Sequence, residues 1–287
     1  MEMALHRPGP YLSDCVAAMV LFSGFVPDYQ REKLLPDGVI EIVVDLSDRP
    51  KRLFRDEAGP EGDDFHKAWI SGVHGRPLII EAQPMAEMLV ISFTPGGAWP
   101  FIGIAANALA NRVFDLDAVL GPAAVSLRDR LLAGHSPREK FALAESWLLE
   151  RSGGPVRRDP LIAHLTSRIS AGGLPIRALV EKTGRSERAI QLLAQRWLGT
   201  SLKHYARIRR FQRVIGSIAA GAPPDWSDLA SGEGYFDQSH LSHEFVGFAG
   251  MTPGAYATRY AGLTDFLPLL VSPACGNLQD GALMLQA

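Results

Sequence analysis

Hydrophobic residues recur every three or four positions through the second half of the chain, which is the spacing of amphipathic helices. Between Lys203 and Ala220 this spacing predicts one long helix, whose inner face holds Tyr205, Ile208, Phe211, Ile215 and Ile218. A pair of shorter helices is predicted on each side of the long helix. In each pair a glycine, Gly184 or Gly234, supplies the positive φ that a tight turn between helices needs.

Capping residues indicate where these short helices begin and end. Ser186 and Asp237 are predicted N-caps for the second helix of each pair, and Gly199 and Gly250 are predicted to end those helices. Two short helices joined by a glycine turn have the shape of a helix-turn-helix. The pattern therefore predicts two helix-turn-helix units about fifty residues apart, and a further helix that starts at Asp159–Pro160.

The first half of the chain has a different pattern, with short β-branched runs between Gly and Pro residues. This pattern is typical of a small sheet or barrel. Strands are predicted at residues 39–46, 69–73, 78–82 and 88–94, a loop or hairpin tip at 49–64, and helices at 115–133 and 137–150. The predicted fold class is α+β: a β-rich N-terminal domain with trailing helices, then an all-α domain with two helix-turn-helix units joined by a long helix.

Charge separates the two halves. Residues 1–155 hold 15 Lys and Arg against 21 Asp and Glu, whereas residues 156–262 hold 14 against 8. A basic second half suggests that this half meets a polyanion. We expect no membrane span, because no apolar run reaches about 18 residues. Cys15 and Cys275 show no metal-site or disulfide spacing, so we expect a reducing cytoplasm.

A family resemblance rests on two runs in the second half. They are Gly234-Tyr-Phe-Asp-Gln-Ser-His-Leu-Ser-His-Glu-Phe245 and Gly250-Met-Thr-Pro-Gly-Ala-Tyr256. Together they resemble the C-terminal signature of the AraC/XylS transcription regulators, and the likeness extends back to about Asp159. The resemblance implies sequence-specific binding to double-stranded DNA, with no catalytic residues and no cofactor.

The first half carries a second resemblance, on Leu35-Pro-Asp-Gly-Val-Ile-Glu41 and Phe93-Thr-Pro-Gly-Gly-Ala-Trp-Pro-Phe101. These segments resemble the degenerate cupin-like sensor domain of one branch of that family. We therefore expect a sensor or dimerisation domain at 1–150, a linker at 151–158, a DNA-binding domain at 159–262 and a tail at 263–287. The expected partners besides DNA are a small-molecule effector, RNA polymerase and a second copy of the chain.

The helix that opens at Ser186 and the helix that opens at Asp237 are the predicted recognition helices. A helix fits the major groove and reads base edges with its exposed side chains. The predicted base-reading residues are Arg188, Gln191, Leu192, Gln195, Gln238, Ser239, His240 and His243. Arg188 can pair with guanine and Gln191 with adenine. We expect the first unit to supply most of the discrimination, because His243 stands where the family has an arginine.

Other polar residues are predicted to contact the DNA backbone, in keeping with the charge of this half. They are Ser186, Arg196, Lys203, Arg207, Arg209 and Arg210. Glu244 is expected on the exposed face of the second recognition helix, where it would repel phosphates. Glu244→Gln is therefore expected to raise the affinity for any DNA.

The sensor half offers a candidate effector pocket and no metal site. Trp69, His74, Arg76, Trp99 and Phe101 are the candidate lining residues. His66 and His74 do not form the His-x-His cluster of metal cupins. A cupin-class enzyme fused to a DNA-targeting module stays an alternative, as does a first half that only dimerises. A DNA-repair methyltransferase would need a reactive cysteine, and neither Cys15 nor Cys275 has a suitable setting.

Overall fold

The computed structural model describes residues 2–172, 175–220, 225–260, 262–263 and 266–269. Two antiparallel sheets and a set of trailing helices come first, and a helical region follows, in agreement with the predicted fold class. The strands of the described residues are β1 (Glu2–His6), β2 (Val16–Ser23), β3 (Arg31–Leu34), β4 (Glu41–Asp45), β5 (Lys51–Phe54), β6 (Gly62–Phe65), β7 (Ala68–Ser71), β8 (Leu78–Glu81), β9 (Met88–Phe93), β10 (Val113–Asp115) and β11 (Phe266–Leu269).

Helices follow the first nine strands. They are α1 (Trp99–Ile102), α2 (Leu116–Leu120), α3 (Pro122–Ala133), α4 (Pro137–Ser152), α5 (Pro160–Ala171), α6 (Ile176–Glu181), α7 (Glu187–Leu198), α8 (Leu202–Ala219), α9 (Trp226–Gly232), α10 (Gln238–Ala249) and α11 (Pro253–Tyr260), with a 3-10 helix at Ala106–Leu109. No helix in the described ranges combines the length and apolar character needed to cross a membrane.

The two sheets have the orders β1-β2-β9-β4-β7-β10 and β11-β3-β8-β5-β6. In the first, Val43 of β4 pairs with Trp69 of β7 on one side and with Val90 of β9 on the other. Apolar residues from β2, β4, β7 and β9 are buried there. This core is continuous with residues from α3, α4, α8 and α10.

Most predicted elements are confirmed, whereas β1, β2, β3, β10 and β11 were not predicted and one predicted helix is split. The segment 49–64 contains β5 and the start of its partner β6, so it is a hairpin. The predicted helix at 115–133 is split, because Gly121 adopts φ 59° and ψ −140° between α2 and α3. That conformation is open to glycine and breaks the helical hydrogen bonding.

The C-terminal strand β11 returns to the N-terminal half. Leu267 pairs with Lys33 and Leu269 with Arg31, so β11 adds an edge strand next to β3. Leu267 and Leu269 are buried. Part of the predicted tail therefore contributes to the five-stranded sheet, and residues 264–265 and 270–287, with Cys275, lie outside the described residues.

Candidate nucleic-acid interface

Helices α6 and α7 form the first helix-turn-helix unit. The Ser186 hydroxyl begins α7 by accepting a hydrogen bond from the N–H of Ala189 at 3.3 Å. Gly199 ends the helix in the left-handed conformation at φ 77°. The inner face of α7 consists of the buried residues Ile190, Ala194 and Leu198, which join a compact cluster with α5, α6 and α8. The opposite face of α7 is thereby directed to solvent.

The outer face of α7 presents the predicted reading residues. Arg188 and Gln191 are exposed, Leu192 is 58% exposed and Gln195 is half-buried. Arginine and glutamine can each form two hydrogen bonds to a base edge, and an apolar side chain can contact a thymine methyl. This face therefore has the chemistry of a major-groove reader.

Helices α9 and α10 form the second unit. Gly234 makes the turn at φ 76°, and the Asp237 carboxylate accepts a hydrogen bond from the N–H of His240 at 2.7 Å. Leu241, Phe245 and Phe248 are buried, as their spacing predicted. The outer face presents Gln238, Ser239, His240 and His243, all of them exposed.

Glu244 corrects the prediction of an exposed acid on α10. Its side chain is only 5% exposed, and both carboxylate oxygens are bound by α8. Nε of Arg207 donates to Oε2 at 2.7 Å, and Nη2 of Arg210 donates to Oε1 at 2.7 Å. Arg210 also lies over the Tyr235 ring, 4.1 Å from its centroid. Glu244 therefore joins α10 to α8 instead of facing a phosphate.

The predicted phosphate contacts occupy unlike environments. Lys203 is exposed, and Ser186 is an exposed cap. Arg207 and Arg210 are held by Glu244. Arg196 is exposed and lies over the Trp99 ring at 4.3 Å. Arg209 faces the part of the chain that forms the two sheets, residues 2–115 with β11, which we call the sheet domain. Its Nη1 donates to the carbonyl of Asp37 at 3.3 Å.

The basic charge of the second half is concentrated before the second unit. Residues 156–224 hold 13 Lys and Arg against 3 Asp and Glu, whereas residues 225–253 hold five Asp and Glu with no Lys or Arg. Two of those five, Glu233 and Glu244, are paired with arginines of α8. Asp225, Asp228 and Asp237 are exposed. This asymmetry is already present in the sequence, but the total charge of residues 156–262 averages over it.

The candidate effector residues are divided between α1 and the segment formed by β7 and the loop after it. Trp69 is buried on β7, and Phe101 is buried on α1, where it stacks on Phe93. Trp99 faces the first unit, with its ring centroid 5.9 Å from that of Trp197. His74 follows β7, and its Nε2 lies 2.9 Å from the Ser71 hydroxyl. Arg76 is exposed.

The His74 side chain gives a prediction about pH. Burial lowers its pKa to about 4, whereas an unfolded chain has a histidine pKa of about 6.5. Between these values the unfolded state binds the extra proton, so stability should fall as pH drops from 6.5 to 4. Urea unfolding across that window should show a smaller loss for His74→Gln than for the unmodified protein. The exposed His66→Gln should lose as much as the unmodified protein; equal losses for both variants would contradict the assignment.

Contacts with the sheet domain reach both units, and sequence reasoning missed them. Lys33 on β3 is 1% exposed, and its ammonium donates to the carbonyl of Ala249 at the end of α10, at 3.2 Å. Glu57 forms an ion pair with the same ammonium. A cation suits the C-terminal end of a helix.

The turn at residues 36–38 makes a second contact, with α8. Gln212 donates to the carbonyl of Pro36 at 2.7 Å. Gly38 has φ 84°, and a Cβ there would lie 3.1 Å from the buried Tyr205 ring. Both the backbone conformation and the close approach therefore require glycine at this position.

Burial raises the pKa of the Cys15 thiol to about 12, which makes it a poor nucleophile. Among the described residues, no group of three His, Cys, Asp or Glu side chains could hold a metal ion.

Comparisons with known proteins give a family match in each half. Residues 179–259 match the helix-turn-helix domain family, and residues 4–115 match a domain of unknown function, DUF6597. The curated proteins contain no significant match. Among solved structures, unsaturated fatty acid-bound ToxT from Vibrio cholerae is 8% identical, with a TM-score of 0.46 and coverage of 86% of this chain and 97% of that chain.

A second solved structure, the AraC-like transcriptional activator CuxR, is 14% identical, with a TM-score of 0.27 and coverage of 74% of this chain and 86% of that chain. Both likenesses are distant. The assignment comes from the helix-turn-helix match and the signature run that spans α10 and α11. Residues 179–259 therefore form an AraC-type helix-turn-helix domain.

Proposed function

We propose that this regulator reads DNA mainly with its first helix-turn-helix unit and that the N-terminal domain controls the two units in response to a small molecule. The outer face of α7 is the observation that carries the first part. It joins exposed Arg188 and Gln191 to the most basic stretch of the chain. Base readers surrounded by positive charge combine discrimination with phosphate attraction.

In the proposed complex, α7 enters the major groove. Arg188 pairs with a guanine, Gln191 with an adenine, and Leu192 contacts a thymine methyl. Lys203 and the N-terminal end of α7 at Ser186 lie against phosphates, where a cation and a helix N-terminus are both favourable. The second unit, with a neutral or acidic outer face, contributes less to affinity.

The contacts of the N-terminal domain support its proposed control of the two units. Lys33 touches the end of α10, and the turn at 36–38 touches α8. A ligand that moved β3 or this turn would change the angle between the recognition helices. We keep the division into 1–150, 151–158, 159–262 and 263–287 as part of this proposal, together with action in the cytoplasm and contact with RNA polymerase.

Selection of binding sites from random DNA by the full chain tests the DNA-reading proposal. We expect one enriched motif, with strong preference over a stretch short enough for one recognition helix. Enrichment of no motif would contradict the proposal. A thermal-shift screen of the full chain against metabolites tests the effector part, because a ligand that binds only the folded state raises the melting temperature.

The exposed Lys203 and the interface residue Arg209 should respond differently to alanine substitution. Lys203→Ala should weaken binding to all sequences about equally and reduce the salt slope by about one unit. Arg209→Ala should leave that slope unchanged, because its guanidinium contacts the carbonyl of Asp37. Titrations at several salt concentrations measure both. A reduced slope for Arg209→Ala alone would reverse the assignment.

A further inference from the structure

The second unit carries an apolar side chain that its own fold does not cover. Phe236, between Gly234 and the cap Asp237, is 92% exposed, which is the largest exposed fraction among the large hydrophobic residues of the described chain. A single exposed hydrophobic side chain is common on protein surfaces, so a role for Phe236 depends on a complementary site for its ring. The charges of the unit that presents it, residues 225–253, are all acidic.

The first unit offers the complementary surface. A groove of about 400 Å³ lies between α6, the start of α7 and the start of α8. Ile176, Val180, Ile190 and Leu202 form its apolar lining. Arg177 and Lys203 also line the groove, against one acidic residue, Glu187. The groove therefore combines apolar walls with an edge on which Arg177 pairs with Glu181 and Lys203 supplies a further positive charge.

We propose that Phe236 of one copy of this chain inserts into the groove of a second copy, so that the regulator self-associates head to tail. An aromatic side chain needs an apolar site with room for its ring, and it buries roughly 150–250 Å² when it finds one. The exposed Asp237 beside Phe236 would then face the exposed Lys203 on the edge of the partner's groove. A projecting apolar residue and a pocket elsewhere on the same chain give a heterologous contact of this kind.

The groove shares Gln191 and Lys203 with the predicted DNA face. A copy seated in the groove would therefore compete with DNA for the first unit. That consequence rests on the proposed function, whereas the contact between copies does not.

Sedimentation of the full chain over a concentration series, without DNA, tests the contact. We expect concentration-dependent association. Phe236→Ala should weaken it roughly 30-fold, the effect of losing a residue that dominates an interface. The control Tyr11→Ala removes an aromatic side chain that is 63% exposed on the sheet domain and should change nothing. An unmodified protein that stays monomeric would overturn the proposal. So would a Phe236→Ala variant that associates as strongly as the unmodified protein.

A mixing experiment separates this contact from any other. Ile176→Asp places a carboxylate in the half-buried groove wall, and Arg177→Glu reverses the charge of its exposed edge; circular dichroism confirms folding. Each variant alone should be monomeric. Phe236→Ala retains the groove and Ile176→Asp retains the phenylalanine, so their mixture should form a one-to-one complex. The proposal would be contradicted if this mixture formed no complex and the Arg177→Glu variant still associated with itself. Binding of the selected duplex by Phe236→Ala reports separately on the proposed function.

Discussion

Replacing Glu244 with glutamine is expected to lower the free energy of unfolding by about 2–3 kcal/mol. Glutamine keeps the shape of the side chain and removes its charge, which leaves Arg207 and Arg210 without their counter-ion. Breaking a buried ion pair from one side costs about 3–5 kcal/mol. We expect less here, because Arg207 remains 43% exposed and can be hydrated.

Urea unfolding of the full chain measures this effect. Glu181→Gln is the matched control, because Glu181 pairs with Arg177 on the surface, with the two side chains 63% and 84% exposed. Such a pair contributes about 0.5 kcal/mol or less. If Glu244→Gln left the stability unchanged and increased the affinity for every DNA, Glu244 would be the exposed acid that the sequence alone predicted.

Arg188→Ala should cost about 1–3 kcal/mol on the specific DNA site and relax the preference at one base pair. The exposed guanidinium has the geometry to donate two hydrogen bonds to guanine, and alanine at the same position donates none. On scrambled DNA the loss should be small, since only charge is removed. Titration of both duplexes at one salt concentration gives the two losses. Equal losses on both would make Arg188 a phosphate contact.

The helices of the DNA-binding half could be predicted because local chemistry determines them. Ser186, Asp237, Gly199 and Gly250 act where the sequence placed them, at helix starts and ends. The inner faces of α7, α8 and α10 followed from spacing alone. These signals lie within a few residues of each other, so no knowledge of the tertiary arrangement is needed.

The side chains whose roles depend on another element could not be predicted in the same way. Helical spacing placed Glu244 next to the outer face of α10, and only the crossing of α8 buries it. Lys33 belongs to a short charged strand, Arg31–Leu34, which has none of the usual β-branched pattern. Arg209 and Lys203 both belong to the basic run of α8. Only the contact of Arg209 with the turn at 36–38 distinguishes its environment from that of the exposed Lys203. Strand β11 could not be predicted from local sequence, because its partner β3 lies more than two hundred residues earlier in the chain.

A direct comparison of Arg188→Ala with His243→Ala tests the central claim, that the first unit is the principal reader. Both residues are exposed on the outer face of a recognition helix, so neither substitution should disturb the fold. The measurement is a binding titration of the full chain on the selected duplex and on a scrambled duplex, at one fixed salt concentration. Arg188→Ala is predicted to lose most of the difference in affinity between the two duplexes, and His243→Ala to keep most of it. If His243→Ala abolishes that difference while Arg188→Ala retains it, the second unit is the reader and the account is wrong.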